Sequence, residues 1–442
     1  MTAVGIQGNS GKEYFLIDFL LHKLFISPSL TEFRFLQHSL CRVTSPGNHL
    51  MEDFTIISYP GTRNDLLLSL TESRSRYMLP IGGRFRVVDF TLRNSFTSRA
   101  RTTIIYNNLD DDLERYVDRY GPFGDMKFPP IKVITREYSD IKVCYNLILE
   151  SNTEYYVIYN GDNPSIIDFA TIIKKYKAKK TGAVLFRLNM DGKPTMAYTV
   201  LISDQKTLLN VIKGAIKEKR SAPNLFEMII NILINTGISK SSFDAYYWPI
   251  KNVPEYYTLS RDIIWDPEIF GMLYREQIIK SQIASGGIAH IGRHGKVVRS
   301  FVSDFCKING TVENSIIYPG VEIGEQTLVK DSIILPYNRI GSGARIVRAI
   351  IDERTDLKEE STYLNIGNSS RIGSNEEFIK NADFPRSLFS SITLVGKDCR
   401  IADGARIGGG CYVASGLGDE FQGSKKFLYD GTSLVRSVPD AV

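Results

Sequence analysis

The chain has 442 residues, 43% hydrophobic and 23% charged, with a net charge of +5. That length exceeds one ordinary core and predicts two domains of a globular protein. So small a charge excess, with no Lys/Arg block, argues against a nucleic-acid partner. No apolar run reaches the roughly 18 residues that a transmembrane helix needs.

Residues 1–50 stand apart. Tyr14–Leu21 is apolar, but Asp18, His22 and Lys23 break the run and no small-residue cleavage site follows, so it is not read as a signal peptide. The leader reads as an upstream extension, with the functional chain starting near Met51; a lineage-specific arm is the alternative. The five cysteines (Cys41, Cys144, Cys306, Cys399, Cys411) are scattered and odd in number, as buried thiols in a reducing cytoplasm would be. His290 and His294 have helical spacing, but Gly292 and Gly295 predict a loop there rather than a zinc helix.

From residue 54 to about 265, apolar runs alternate with amphipathic segments. Strands are predicted at Phe54–Tyr59, Thr102–Tyr106, Ile131–Thr135, Tyr155–Tyr159, Gly182–Arg187 and Thr195–Ile202. Helices are predicted at Phe90–Ser98, Leu113–Tyr120, Val143–Leu149, Ile166–Lys177, Lys206–Glu218 and Leu225–Asn235. This alternation predicts an α/β domain over 51–290, a mostly parallel sheet with helices on both faces. Ligands of such sheets sit beyond the carboxyl ends of the strands.

From Ile308 onward the period changes to six. Ile323, Val329 and Leu335 are six apart, as are Ile340 and Ile346, and Val395, Ile401, Ile407 and Val413. Aliphatic residues at that spacing, punctuated by glycine, predict a hexapeptide-repeat parallel β-helix over 291–442. A charged stretch near 352–391 is expected to leave the repeat as an excursion.

Two blocks in the first half carry a resemblance. They are Gly82-Gly83-Arg84-Phe85-Arg86-Val87-Val88-Asp89-Phe90-Thr91-Leu92-Arg93-Asn94 and Tyr156-Val157-Ile158-Tyr159-Asn160-Gly161-Asp162. With the repeats behind them, residues 52 to about 420 resemble the ADP-glucose pyrophosphorylase (glucose-1-phosphate adenylyltransferase) family, close to its divergent regulatory members. The resemblance implies a nucleotidyltransferase-type sheet followed by a left-handed β-helix. It also implies joining of ATP and glucose 1-phosphate into ADP-glucose and pyrophosphate with magnesium, for glycogen synthesis in the cytoplasm.

The family's chemical groups are only partly kept. The glycine-rich phosphate loop matches at Gly61, Thr62 and Arg63, but Tyr59 and Pro60 replace its leading glycines, and proline removes an N–H donor. Arg63 is expected to meet the phosphates, or else to be an exposed loop arginine. Arg76 and Tyr77 stand where the family has Lys-Pro; the charge is kept as a guanidinium fork. Asp162 matches the first metal-binding aspartate. The second, expected after Tyr247-Trp248, is replaced by Ile250; Asp244 is the one nearby carboxylate. Leu188–Pro194 reads as a hairpin turning at Asp191-Gly192, with Lys193 as the alternative remnant of the sugar-phosphate lysine. The base-binding motif is blurred to Ser139-Asp140-Ile141-Lys142-Val143. Gly82, Gly83, Arg84, Arg86 and Asn94 are expected to line a phosphate-binding mouth, although Gly82, Gly83 and Asp89 serve equally as scaffold.

The sequence therefore predicts a family member with eroded chemistry: a regulatory or weakly active subunit that binds nucleotide or sugar phosphate. It would work as an oligomer, with a catalytic paralog as a candidate partner, and would use magnesium if active. An active enzyme with displaced ligands and a β-helix assembly scaffold are the alternatives.

Overall fold

The structure is a computed structural model. It describes residues 52–61, 65–109, 111–119, 130–135, 141–179, 181–190, 193–217, 225–275, 281, 286–355, 364–418 and 427–435. The leader, Cys41, Thr62, Arg63, Ser139-Asp140 and the Asp191-Gly192 turn lie outside the described residues.

In chain order the first half runs β1 (Glu52–Tyr59), β2 (Pro80–Ile81), β3 (Phe85–Arg86), α1 (Val87–Ser98), β4 (Ala100–Asn107), α2 (Leu113–Asp118) and β5 (Ile131–Thr135). It continues with α3 (Ile141–Ser151), β6 (Tyr155–Asn160), β7 (Ser165–Ile166), α4 (Phe169–Lys177), β8 (Ala183–Met190) and β9 (Lys193–Asp204). Then come α5 (Gln205–Lys217), α6 (Leu225–Asn235), β10 (Ser239–Asp244), β11 (Tyr246–Tyr247) and α7 (Val253–Trp265). Seven strands form one sheet in the order β10-β8-β9-β6-β1-β4-β5. All run parallel except β9, which pairs antiparallel with both β6 and β8.

The sheet is apolar on both faces because both are covered. Phe169, Ile172 and Ile173 of α4 pack with Ile56, Val157 and Val184 on one face. Ile148, Leu208, Ile212 and Phe226 of α3, α5 and α6 pack with Ile57, Ile158 and Leu185 on the other. From β1 the chain crosses to β4 on one side, and it later returns as β6 on the other. The loops after β1 and β6 therefore part, and the crevice between them is the ligand position of this architecture.

One predicted helix starts later than the sequence reading puts it, and one expected hairpin forms. Helix α4 starts at Phe169, not Ile166, because Ser165–Ile166 pair with Tyr246–Tyr247 as a small antiparallel ladder. Asp168 then caps the helix, accepting from the Thr171 amide at 3.1 Å. The segment Leu188–Pro194 is the hairpin: Met190 pairs with Lys193 and Asn189 with Pro194.

In the second half, short parallel strands stack into three ladders. Val312, Val329, Ile346, Ile372 and Ile407 fall in register up one of them and point into a single aliphatic core. The interruption near 352–391 is narrower than the sequence suggests. Ile366 bridges Ile340 and Ile401, and Arg371–Ile372 pairs with Arg345–Ile346, so 364–372 complete a coil. Leu335, the one expected repeat residue absent from that core, instead belongs to a cluster shared with the sheet domain. The free thiols of Cys144, Cys306, Cys399 and Cys411 are buried.

The two halves share an apolar core in which Leu79, Ile81, Phe85, Tyr256 and Ile263 meet Ile316, Tyr318 and Leu335. Gly83, in the turn between β2 and β3, has φ +80°, and a Cβ there would lie 2.5 Å from the Phe301 ring. Charge is sealed into the same seam. Arg74 lies 2.5 Å from Asp352 and 2.7 Å from Glu353. Arg86 and Lys397 approach Glu353 at 3.3 and 3.7 Å.

Burial alone would raise the Glu353 carboxyl, but Arg74, Arg86 and Lys397 outweigh it and hold the group down at about 2. Glu353 thus contributes stability that is complete above the ordinary glutamate value, about 4.3. That contribution disappears as pH falls through about 2. Glu353→Gln, which mimics the protonated acid, should lower the unfolding free energy at neutral pH by about 3 kcal/mol. The gap from the native chain should close between about pH 4 and 2. Urea unfolding of both proteins across that range checks this; a gap that does not change with pH would contradict it.

Candidate functional site

The crevice between the carboxyl ends of β1 and β6 is built on one tight backbone approach. Gly161, just past β6, donates its amide to the Tyr59 carbonyl at 3.0 Å. Its own carbonyl accepts from the Thr91 hydroxyl of α1 at 3.1 Å. A Cβ at Gly161 would lie 1.9 Å from Ser58 Oγ, so the position must be glycine for β1, β6 and α1 to meet as they do.

That approach aims the next residue, Asp162, inward, and its side chain is fully buried. Oδ2 accepts from the Gly61 amide at 2.9 Å, and Oδ1 accepts from Asn163 Nδ2 at 3.1 Å. The Arg76 guanidinium lies across the crevice with Nε 3.6 Å from Oδ2, an ion pair beyond hydrogen-bond length. One Nη of Arg76 donates to Asn163 Oδ1 at 2.8 Å and to the Ile250 carbonyl. The Ile250 amide donates to the same Asn163 Oδ1 at 2.9 Å. Asn163 Nδ2 also reaches Asn160 Oδ1 and, at 3.2 Å, the Tyr247 hydroxyl. Burial pushes the Asp162 carboxyl up from its ordinary value; Arg76 and the Gly61 amide oppose this without cancelling it. Burial, followed by the charge of Asp162, likewise raises the Tyr247 phenol.

Of the residues singled out in the sequence, Gly61, Arg76 and Asp162 converge here, and Ile250 joins through its main chain. Thr62 and Arg63 lie outside the described residues. The others are placed elsewhere. Gly82 and Gly83 press on Ile263 and Phe301. Arg84 stands 5.8 Å from the Phe85 ring centre. Arg86 donates to the Met78 carbonyl and faces Glu353, while its amide is held by Asp89 at 2.8 Å. Asn94 is wholly engaged inside the fold, bonding Ser165 and the Ile167 amide at 3.0 Å. In the described residues the mouth is therefore narrower and less positive than the arginine count suggested.

Asn160, Asn163 and Tyr247 were missed. The first two flank Asp162 in Asn160-Gly161-Asp162-Asn163, a polar run at a strand's end that signals a site. Tyr247 sits in the segment read only for its spacing to a second carboxylate.

The family resemblance implies magnesium, and the described residues do not fit it. Octahedral hard-cation sites want several oxygen donors, yet among the described residues Asp162 is the one buried carboxylate here; Glu227, whose charge also reaches it, is exposed. Both its oxygens already accept hydrogen bonds, and a cationic side chain stands beside it. Asp244 gives no second ligand. It ends β10, three strands from β6 in the sheet, about 14 Å away at the usual strand spacing, and accepts from Asn189 at 2.9 Å. Among the described residues no group of three His, Cys, Asp or Glu could hold a metal ion. No helix among them is long and apolar enough to cross a membrane.

Known proteins match both halves. Residues 287–376 fit a family model described as GlmU-like, C-terminal hexapeptide. A glucose-1-phosphate adenylyltransferase of Acetivibrio thermocellus is 22% identical over 394 residues, covering 79% of this chain and 90% of that protein. Proteins of the same name from Bacillus cereus and Bacillus anthracis are 21% identical over 346 residues, covering 68% of this chain and 91% of theirs. Over most of its length the chain is thus similar to proteins named glucose-1-phosphate adenylyltransferase, and it carries a hexapeptide β-helix behind its parallel sheet.

Gly161→Ala should displace Asn160–Asn163 from β1 and lower the melting temperature by several degrees, about what a loss of 1–3 kcal/mol produces. Adding Ser58→Ala, which removes the nearest clashing atom, should recover part of that loss. Scanning calorimetry of the single and double variants measures both effects; no loss in the single variant would show that the backbones need not approach so closely.

Proposed function

We propose that this chain is a regulatory or weakly active member of the glucose-1-phosphate adenylyltransferase group, which binds a nucleotide or sugar phosphate in the β1/β6 crevice and makes ADP-glucose poorly or not at all. Its place would be in ADP-glucose supply for glycogen synthesis, alongside a catalytic paralog in a mixed oligomer. The observation that carries the reading is the state of Asp162. Its partners are an amide, an asparagine and an arginine, and the position of a second carboxylate holds Ile250.

In the family reaction the sugar phosphate displaces pyrophosphate from the α-phosphorus in line. Most of the catalysis then comes from positioning and from neutralising charge as it shifts onto the leaving group. Losing one group that meets such developing charge commonly costs about a hundredfold or more. Holding a phosphate asks for less: N–H donors and positive charge suffice. The crevice keeps Gly61, whose amide is held by Asp162, and the Arg76 fork. Binding without efficient turnover is the function those groups support, and loss of the second carboxylate together with the leading glycines favours it over an active enzyme with displaced ligands.

The purified chain, given ATP, glucose 1-phosphate and magnesium, should release pyrophosphate far below the roughly 1–100 per second of ordinary phosphoryl transfer. Calorimetry should detect ATP, ADP-glucose or glucose 1-phosphate binding, weaker at high salt because part of it is charge attraction. Turnover in the ordinary range would refute the reading. So would absence of binding for all three ligands, with and without a catalytic paralog.

A further inference from the structure

We propose that Arg76 is the resident cation of the crevice: its guanidinium takes the electrostatic place of a divalent metal on Asp162, and phosphate ligands bind without metal. The part concerning ligands rests on the function proposed above; the part concerning Arg76 and Asp162 does not.

The geometry points to this in three ways. Asp162 is fully buried, so its charge must be compensated locally or given up. Arg76 is the cation that pairs with it, at 3.6 Å, and its own side chain is mostly buried. The same guanidinium also fills the coordination space a metal would need, by donating to Asn163 Oδ1 and to the Ile250 carbonyl. A lysine at this position would offer one compact charge; the planar fork donates to two oxygens while its charge stays beside Asp162. Its remaining Nη carries no hydrogen bond among the described residues and is left for a ligand's phosphate oxygen.

An arriving metal would have to evict a held arginine, strip two hydrogen bonds from Asp162 and then manage with a single buried carboxylate. A phosphate only has to add to a cation already in place. The affinity of a phosphate ligand should therefore owe little to magnesium.

The test uses the full chain and three measurements. Manganese chloride is titrated into the protein and followed by electron paramagnetic resonance; no manganese should be bound at micromolar concentrations. ATP is titrated by calorimetry in EDTA and again in magnesium; the two affinities should agree within about threefold. Melting temperatures are compared for Arg76→Gln, Asp162→Asn and the double variant. The double variant should lose clearly less than the sum of the single losses, because each single change strands the partner's buried charge or donors. If Arg76→Gln does not fold, Arg76→Lys takes its place, and its melting loss should shrink in the Asp162→Asn background.

Manganese binding by the native chain that Asp162→Asn abolishes would overturn the proposal, as would ATP binding that EDTA eliminates or strictly additive melting losses. If no phosphate ligand binds under any condition, the proposed function fails, while the manganese and melting results still decide the role of Arg76.

Discussion

Arg74 has almost no contact with water, and a guanidinium in that position must find its acceptors in protein. It finds the Leu70 carbonyl at 2.8 Å, Asp352 at 2.5 Å and Glu353 at 2.7 Å. Two of the three belong to the β-helix. The sheet domain cannot leave the β-helix without stranding that charge, and removing one partner of a buried pair typically costs about 3–5 kcal/mol. The hairpin from Pro80 to Arg86 is held by the same constraint. Tyr256 of α7 donates to the Pro80 carbonyl at 2.7 Å, Gly83 admits Phe301, and Arg86 reaches Glu353. The hairpin's far end feeds directly into α1, whose Thr91 holds Gly161. Seam and crevice are thus joined through one short run of chain.

This arrangement divides Arg74, Arg76 and Arg86 between two tasks. Arg74 and Arg86 go to the seam, where Glu353 draws them. Arg76 lies between them in sequence and goes to the crevice, where Asp162 draws it. Neighbouring arginines that look alike in the sequence have different partners because the chain between Ser75 and Met78 turns tightly, with Arg76–Met78 in a short 3₁₀ helix. Phosphate contact by Arg86 would require giving up the Met78 carbonyl and Glu353.

What could be read from the sequence follows from this division. The centre of the sheet was legible because β1 and β6 are buried on both faces and so appear as continuous apolar runs; the edge strand Ile131–Thr135 and helix Leu225–Asn235 are also found at the expected bounds. The β-helix was legible because its inward corners recur at fixed spacing. Strand β10 was not, since Ser239-Lys240-Ser241-Ser242-Phe243-Asp244 is polar and lies at the sheet's edge. Helix α7 was missed because it packs against the seam, and its tyrosines do not make a clean amphipathic face. At the site, Asp162 and Arg76 could be named from position alone. Their pairing could not, because 86 positions separate them and only the fold brings them together. The reverse held for Asn94, Gly82 and Gly83: their motif is intact, but what it preserves is packing.

Charge balance ties the altered positions together. A pair of carboxylates in a crevice carries a charge of −2, and a divalent cation is its natural complement. With Ile250 in the second position one buried negative charge remains among the described residues, and a single guanidinium pairs with it. A divalent ion there would leave an excess positive charge in a desolvated place. Arg76 avoids that excess, and it is covalently held, so its concentration at the site does not depend on solution. The cost is adaptability: a metal can exchange ligands as charge moves during a reaction, whereas a guanidinium fixed by Asn163 and the Ile250 carbonyl stays put. A crevice made this way keeps the capacity to hold a phosphate and loses much of the capacity to follow one through its transfer.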